Sequence, residues 1–351
     1  MADESGETKK HKAILGARPY EGLSPELILD AVDALGFVTT GATLALNSYE
    51  NRVYQVGIEE TGEQESNVTG AVVVKFYRPG RWTDDAILEE HSFSLELAAH
   101  EIPVVAPLSV DNQTLHELAG FRYAVFPRRG GRWPDLENKE NRQWLGRFLG
   151  RIHACGSVRK FAHREVLSVH DRGWIATDYL IKNKWIPTHL EEAYQSLAED
   201  LLVTVERAVG GYQAAGGRWI RLHGDCHPGN ILWTDEGPHF VDLDDCIMGP
   251  AIQDLWMLLS GEREEMAVQM ADILSGYVQF ADFDYRQLAL IEPLRTLRMI
   301  HYTAWLARRW EDPAFPMAFP WFSESRYWEE HVLALREQMS LLQEPAIELP
   351  S

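Results

Sequence analysis

Apolar and polar positions follow two rhythms along this chain. Ile28, Ala31, Val32 and Leu35 recur at helical spacing behind Ser24-Pro25-Glu26. That triplet offers a cap, a first-turn proline and an acid at the positive end of a helix, and Gly36 ends the pattern. A period of two follows. Thr43 to Leu46, Val53 to Ile58 and Ala71 to Tyr77 predict strands, with a polar turn over 62–70 before the last of them. Thr83 caps a second helix carrying Ile87, Leu88, Phe93, Leu95 and Leu97. Pro103 to Val110 and Phe121 to Phe126 predict two further strands, and Arg128-Arg129-Gly130-Gly131 breaks the pattern. Beyond it the rhythm is mainly helical. Trp144, Leu145, Phe148, Leu149 and Ile152 form one stripe, and helices are predicted from about Leu190 to Val209 and around Ile252 to Leu259. More are expected over Arg263 to Phe280, Tyr285 to Trp310 and Ser323 to Leu342. Two short strands, Trp219 to Leu222 and Ile231 to Trp233, interrupt this half, and Asp235 to Pro238 is a turn. The stretch from Asp312 to Trp321, rich in proline and aromatics, predicts no regular helix.

The expected class is therefore α+β, a small N-terminal lobe of antiparallel strands with a helix and a mainly helical C-terminal lobe. Residues 1–19 read as a flexible tail, 20–128 as the N-lobe and 129–351 as the C-lobe. The 351 residues, 45% hydrophobic and 25% charged, suit a globular protein. A formal charge of −20 argues against nucleic acid as a partner, because such binding leans on Lys and Arg. No apolar run reaches membrane-spanning length, and Met1 to Lys12 lacks an apolar signal core. Three cysteines are too few for a disulfide framework. A cytoplasmic protein without membrane contact is expected, acting as a monomer.

Candidate chemistry concentrates in His223-Gly224-Asp225-Cys226-His227-Pro228-Gly229-Asn230, with Asp242 following in Val241-Asp242-Leu243-Asp244-Asp245. Asp225 stands five residues before Asn230, and Asp242 twelve after it. The eukaryotic kinase loop H-R-D-x-x-x-x-N has the same Asp-to-Asn step before a later metal-binding Asp. One carboxylate there orients the attacking hydroxyl, while an amide oxygen and a second carboxylate hold Mg²⁺. Asp225 suits the first role, Asn230 and Asp242 the second. His223, Cys226 and His227 lack the partner spacing of a zinc site. Lys75, alone in a β-branched strand, resembles the lysine of the kinase V-A-I-K strand and is assigned to ATP phosphates. Its expected partner is Glu90, with Glu89 in reserve, since periodicity does not separate them. Ser48, in the turn between the first two strands, is placed against the phosphates although the usual glycines are missing. Backbone near Phe126 and Pro127 is expected to meet adenine. His153 is expected to hydrogen-bond the catalytic loop, and Asp254 to brace it through backbone N–H groups. Cys226 and Cys246, near these residues, are expected to be inert rather than redox sensors.

Several stretches together carry a more specific resemblance: Leu46 to Tyr54, Lys75 to Pro79, Leu88 to His91, the His223 to Asn230 octet, Val241 to Asp245, Gln253 to Met257 and Asp312 to Trp321. They resemble the bacterial stress response kinase A family, within the aminoglycoside-phosphotransferase and choline-kinase group. The likeness runs from about residue 20 to the C-terminus. It implies a protein-kinase-like two-lobe fold, ATP with Mg²⁺, and phosphorylation of Ser or Thr on proteins during stress. It also implies Asp225 as proton acceptor, Asn230 and Asp242 as Mg²⁺ ligands and Ser48 as an ATP contact. Gly224 replaces the Arg of H-R-D, Asp-Leu-Asp replaces D-F-G, and no A-P-E segment is present. Two rivals stand beside this reading: a small-molecule kinase for an aminoglycoside, choline, homoserine or sugar, and a nucleotide-binding pseudokinase without turnover.

Overall fold

The structure, a computed structural model, describes residues 19–59 and 70–350. The expected tail, apart from Pro19, and most of the polar turn over 62–70 lie outside the described residues. The chain divides into two compact units, one running to Gly131 and taking back His239–Asp244, the other made of Arg132–Pro238 and the chain from Asp245 on. The sequence pattern breaks close to the first crossing but says nothing of the return. The return has a local cause. Phe240 donates its N–H to the Pro103 carbonyl at 2.8 Å and accepts that of Val105 at 2.9 Å, which ties this short segment to the first unit.

The first unit is a five-stranded antiparallel sheet with two helices. Helix α1 is Pro25–Asp33, and the strands are β1 (Thr39–Ala45), β2 (Arg52–Ile58), β3 (Ala71–Phe76), β4 (His116–Leu118) and β5 (Phe121–Pro127), ordered β1-β2-β3-β5-β4. The Ser24 hydroxyl accepts the Leu27 N–H at 3.2 Å, the cap that the sequence predicts. Alternation in β3 splits its side chains between two faces. Val72, Val74 and Phe76 join Ile28, Ala31 and Val32 of α1 in a core with Val56, Tyr123 and Val125. Lys75 falls between Val74 and Phe76 and so leaves the opposite face. Helix α2 (Asp84–Ala99) starts at Thr83, whose hydroxyl accepts the Ala86 N–H at 3.2 Å, and buries Glu90 beside Ile87.

One predicted strand is corrected. Pro103 to Val110 is not a ladder strand; Val104 and Val110 make single bridges, to Phe240 and Gln113. Pro103 and Pro107 have no N–H to donate, so no continuous ladder forms. The fourth strand is the short β4 instead.

The second unit carries α3 (Lys139–Gly156), α4 (Ile175–Lys182), α5 (Thr188–Ala214), α6 (Ile252–Trp256), α7 (Arg263–Tyr277), α8 (Ile291–Arg309), α9 (Ala314–Ala318) and α10 (Ser325–Leu341). A π-turn at His170–Trp174 leads into α4, neither of which the sequence pattern predicts. Strands β6 (Ile220–Leu222) and β9 (Ile247–Gly249) pair antiparallel. Between them in sequence come β7 (Ile231–Thr234) and β8 (Gly237–Phe240). Helices α3 and α7 approach backbone to backbone: a Cβ on Gly146 would lie 1.9 Å from the Ile273 carbonyl oxygen. Glycine is required there by space. Within Asp312 to Trp321 the structure does form one helical turn, α9. Pro316 sits in that first turn, where a missing N–H costs nothing. Among the described residues no helix is long and apolar enough to cross a membrane.

Candidate active site

Lys75 is the centre of the first unit's chemistry. Its Nζ lies 3.0 Å from Asp242 Oδ1, 3.3 Å from Asp244 Oδ1 and 3.5 Å from Glu90 Oε1. Burial alone would lower the pKa of the ammonium; Asp242, Asp244 and Glu90 outweigh that and hold it well above the ordinary lysine value. The cluster extends further. Arg81 pairs with Asp244, Asn51 Nδ2 donates to Asp244 Oδ2 at 3.0 Å, and Arg78 Nε lies 3.0 Å from Glu50 Oε1. Asp242 alone among the three acids on Lys75 is half-exposed, and its φ of 60° is left-handed. Asp tolerates that region better than most residues, and such strain gathers at functional sites. The following turn, Leu243–Asp245, brings Asp244 back onto the same ammonium.

The second unit holds Asp225 on the loop between β6 and β7. Gly224 has a φ of 87°, and a Cβ there would sit 2.1 Å from the Asp245 carbonyl oxygen. An arginine at this position, as in H-R-D, has no room. Asp254, wholly buried on α6, accepts the His223 N–H at 2.9 Å and the Gly224 N–H at 2.8 Å. His153 Nε2 binds the same carboxylate at 3.0 Å, and its Nδ1 meets the Tyr277 hydroxyl at 3.0 Å. The predicted brace is therefore present, but His153 reaches the loop through Asp254 rather than directly. Asn230 ends a 3-10 turn, and its Nδ2 donates to the Asp225 carbonyl at 3.0 Å. The Asp225 carboxylate accepts a hydrogen bond from Arg298 Nη1 of α8 at 2.6 Å, with His227 Nε2 at 3.5 Å. Burial would raise its pKa, but Arg298 and His227 outweigh burial and hold it below the usual carboxylate value.

Asp242 in the first unit, and Asp225 and Asn230 in the second, each offer oxygen donors, the kind that a hard divalent cation prefers and zinc does not. Among the described residues no three His, Cys, Asp or Glu side chains are grouped to hold a metal by themselves.

The phosphotransferase enzyme family model matches residues 42–291. Stress response kinase A of Escherichia coli (strain K12) is 43% identical over 337 residues, covering 94% of this chain and 97% of that protein. This chain belongs to the stress response kinase A family. It is an ATP-dependent kinase of the phosphotransferase enzyme family. A Salmonella typhimurium (strain LT2) relative, serine/threonine protein kinase RdoA, is 42% identical over 330 residues, with 94% and 97% coverage. Among solved structures, amicoumacin kinase hAmiN matches with a TM-score of 0.70 at 20% identity, covering 93% of this chain and 95% of that one. A microcompartment-associated aminopropanol kinase matches at 0.65 and 17%, covering 92% and 100%. These two share the fold.

For this family member, the predicted site residues fall in both units. Lys75, Glu90 and Asp242 meet in the first; Asp225 and Asn230 meet in the second. Glu90 is the glutamate on Lys75, which decides between it and the half-buried Glu89. Ser48 lies half-buried between β1 and β2, and Phe126 pairs with Val73 in the sheet and packs beside Tyr77 and Ile87. Sequence reasoning missed Asp244, Asn51 and Arg81. Asp244 had a signal, since it lies two residues past Asp242. It also missed Arg298, which carried none. Cys226 and Cys246 are both buried, and burial, with Asp254 and Asp225 adding to it, pushes the Cys226 thiol well up, away from thiolate chemistry.

Proposed function

We propose that this kinase transfers the γ-phosphoryl group of ATP, with Mg²⁺, to a Ser or Thr hydroxyl of a protein in a stress response. The 42% identity to a relative named as a serine/threonine protein kinase carries the choice of acceptor. Lys75, kept charged by its three acids, holds the α- and β-phosphates, and Glu90 sets its direction. Ser48 and the neighbouring backbone meet the phosphates, and backbone near Phe126 meets adenine. Asp242 and Asn230 would hold Mg²⁺, which offsets negative charge on the phosphates when bound. Asp225 aligns the acceptor hydroxyl. The acceptor oxygen forms a bond to the γ-phosphorus as the bond to the β–γ bridging oxygen breaks; ADP leaves and the hydroxyl proton passes to Asp225 and then to water. A carboxylate held at low pKa is a weak base, so its main contribution is position, as befits a loose phosphoryl-transfer transition state. The protein would act as a cytoplasmic monomer.

Small-molecule transfer is the second reading, favoured by the shared fold with an aminopropanol kinase. Labelled γ-phosphate from ATP, offered with Mg²⁺ to a host lysate and to a panel of small alcohols, separates them. Label on protein Ser or Thr that Asp225→Asn abolishes supports the protein reading. Label confined to a small molecule overturns it while keeping the kinase. Tight ATP binding without transfer to anything would mark a pseudokinase.

A further inference from the structure

Arg298 is the group that the roles above leave unused. It projects from α8 onto the carboxylate oxygen of Asp225 at 2.6 Å, yet its side chain remains 41% exposed. An acceptor hydroxyl must hydrogen-bond to that same carboxylate, so it arrives beside an accessible guanidinium. A cation attached to the acceptor would meet Arg298 at short range and be repelled. An anion would be bound by a planar, permanently charged donor suited to carboxylates.

The rest of the helix points the same way. Helix α8 carries Arg295, Arg298, Arg308 and Arg309 but only one acid, Glu292, in a chain of formal charge −20. Glu292 is already engaged, by Arg295 Nε at 3.1 Å and Gln338 Nε2 at 2.9 Å. One turn beyond Arg298, Tyr302 stacks on Trp305 with ring centroids 5.6 Å apart, and Trp305 packs on Phe315 at 5.0 Å. Helical spacing puts Arg298, Tyr302, Trp305 and Arg309 along one face. The face of this helix that leads away from Asp225 thus carries two arginines and two aromatic residues and no acid.

We infer that Arg298 is a specificity-determining residue that selects acidic peptides, with an Asp or Glu side chain close to the acceptor Ser or Thr. This rests on the protein-kinase reading of the same site. The carboxylate of the peptide takes over the guanidinium as the hydroxyl takes its place on Asp225.

The test uses the full chain, ATP and Mg²⁺, with two peptides alike except for Glu or Lys at the two positions on each side of a single Ser. Glycerate and choline serve as a matched small-alcohol pair, one anionic and one cationic. Wild type should favour the Glu peptide by on the order of tenfold or more in kcat/KM, the scale of one charge-assisted contact. Arg298→Gln should flatten the preference and Arg298→Glu should turn it toward the Lys peptide. A purely structural role for Arg298 would lower both rates and leave their ratio unchanged. Equal rates on the two peptides in wild type, a preference for Lys, or an unchanged ratio in Arg298→Glu overturns the inference while the kinase reading stands. Transfer to glycerate or choline alone overturns the peptide assignment and the protein reading together. Transfer to none of the four overturns both.

Discussion

Lys75 lies among Glu90, Asp242 and Asp244, three carboxylates of its own unit, whereas the Asp225 carboxylate meets one guanidinium, that of Arg298, in the other. The first arrangement is redundant. Removing one acid leaves two to keep the ammonium charged. The second leans on one short ion pair with His227 farther off at 3.5 Å, and its geometry depends on backbone: Gly224 makes the turn and Asp254 holds the loop by two N–H groups. The difference suits the tasks proposed for the two residues. A phosphate-binding lysine must stay protonated through changes in its surroundings, which several acids secure. A residue that aligns a reacting oxygen must be held to a fraction of an ångström, which charge does poorly and a hydrogen-bonded loop does well.

This contrast breaks most sharply at Asp225. Asp225→Asn should lower kcat by about a thousandfold, within the usual range for a positioned acid–base group. ATP affinity, measured by calorimetry, should change little, because the Lys75 cluster is untouched. Comparable turnover in the variant would end the role assignment.

The brace is expected to matter next. Asp254→Ala leaves the His223 and Gly224 N–H groups and His153 without their buried acceptor. The cost should be about 3 kcal/mol in a denaturant titration, typical of breaking a buried charged network. A loss below about 1 kcal/mol would mean that the loop holds its shape by other contacts.

Redundancy around Lys75 predicts a smaller effect. Glu90→Gln should raise the KM for ATP by about tenfold or less, since Asp242 and Asp244 remain on the ammonium. Glu89→Gln should leave the KM unchanged. Equal effects of the two substitutions would remove Glu90 from its role.

The smallest signal is in pH. The folded-state pKa of Asp225 lies below its ordinary value, so its ion pair with Arg298 adds stability above the unfolded pKa and loses it as pH falls through the folded one. The gap in melting temperature between wild type and Asp225→Asn should be constant from about pH 7 to 5 and narrow below about pH 4. A gap that stays undiminished well below that pH would mean that the ion pair adds no stability.

Much of this was readable from local pattern. The β-branched run around Lys75 marks a buried strand, and a charge embedded there demands partners wherever they come from. The octet reads as a loop because its flanks read as strands. Asp254 stood out as an acid among apolar neighbours. Pro103 to Val110 misled because its apolar residues have the right period while its prolines lack the donors that a ladder needs. Glu89 and Glu90 sit on one helix at adjacent positions, and only the packing of α2 on the sheet turns Glu90 inward.

By itself the sequence determined the residue types at the site, the order of its elements and the kinase family to which they belong. These depend on short-range spacing and on turn chemistry, which the chain carries locally. Tertiary structure alone decided the partners that the pattern left open: Glu90 rather than Glu89, and Asp244 beside it, on Lys75, and Arg298, 73 residues beyond Asp225, on its carboxylate. Hydrophobic periodicity records which face of an element is buried but not what it is buried against. That choice is made when distant segments close into contact, and a single charged pair at that separation leaves no local signature.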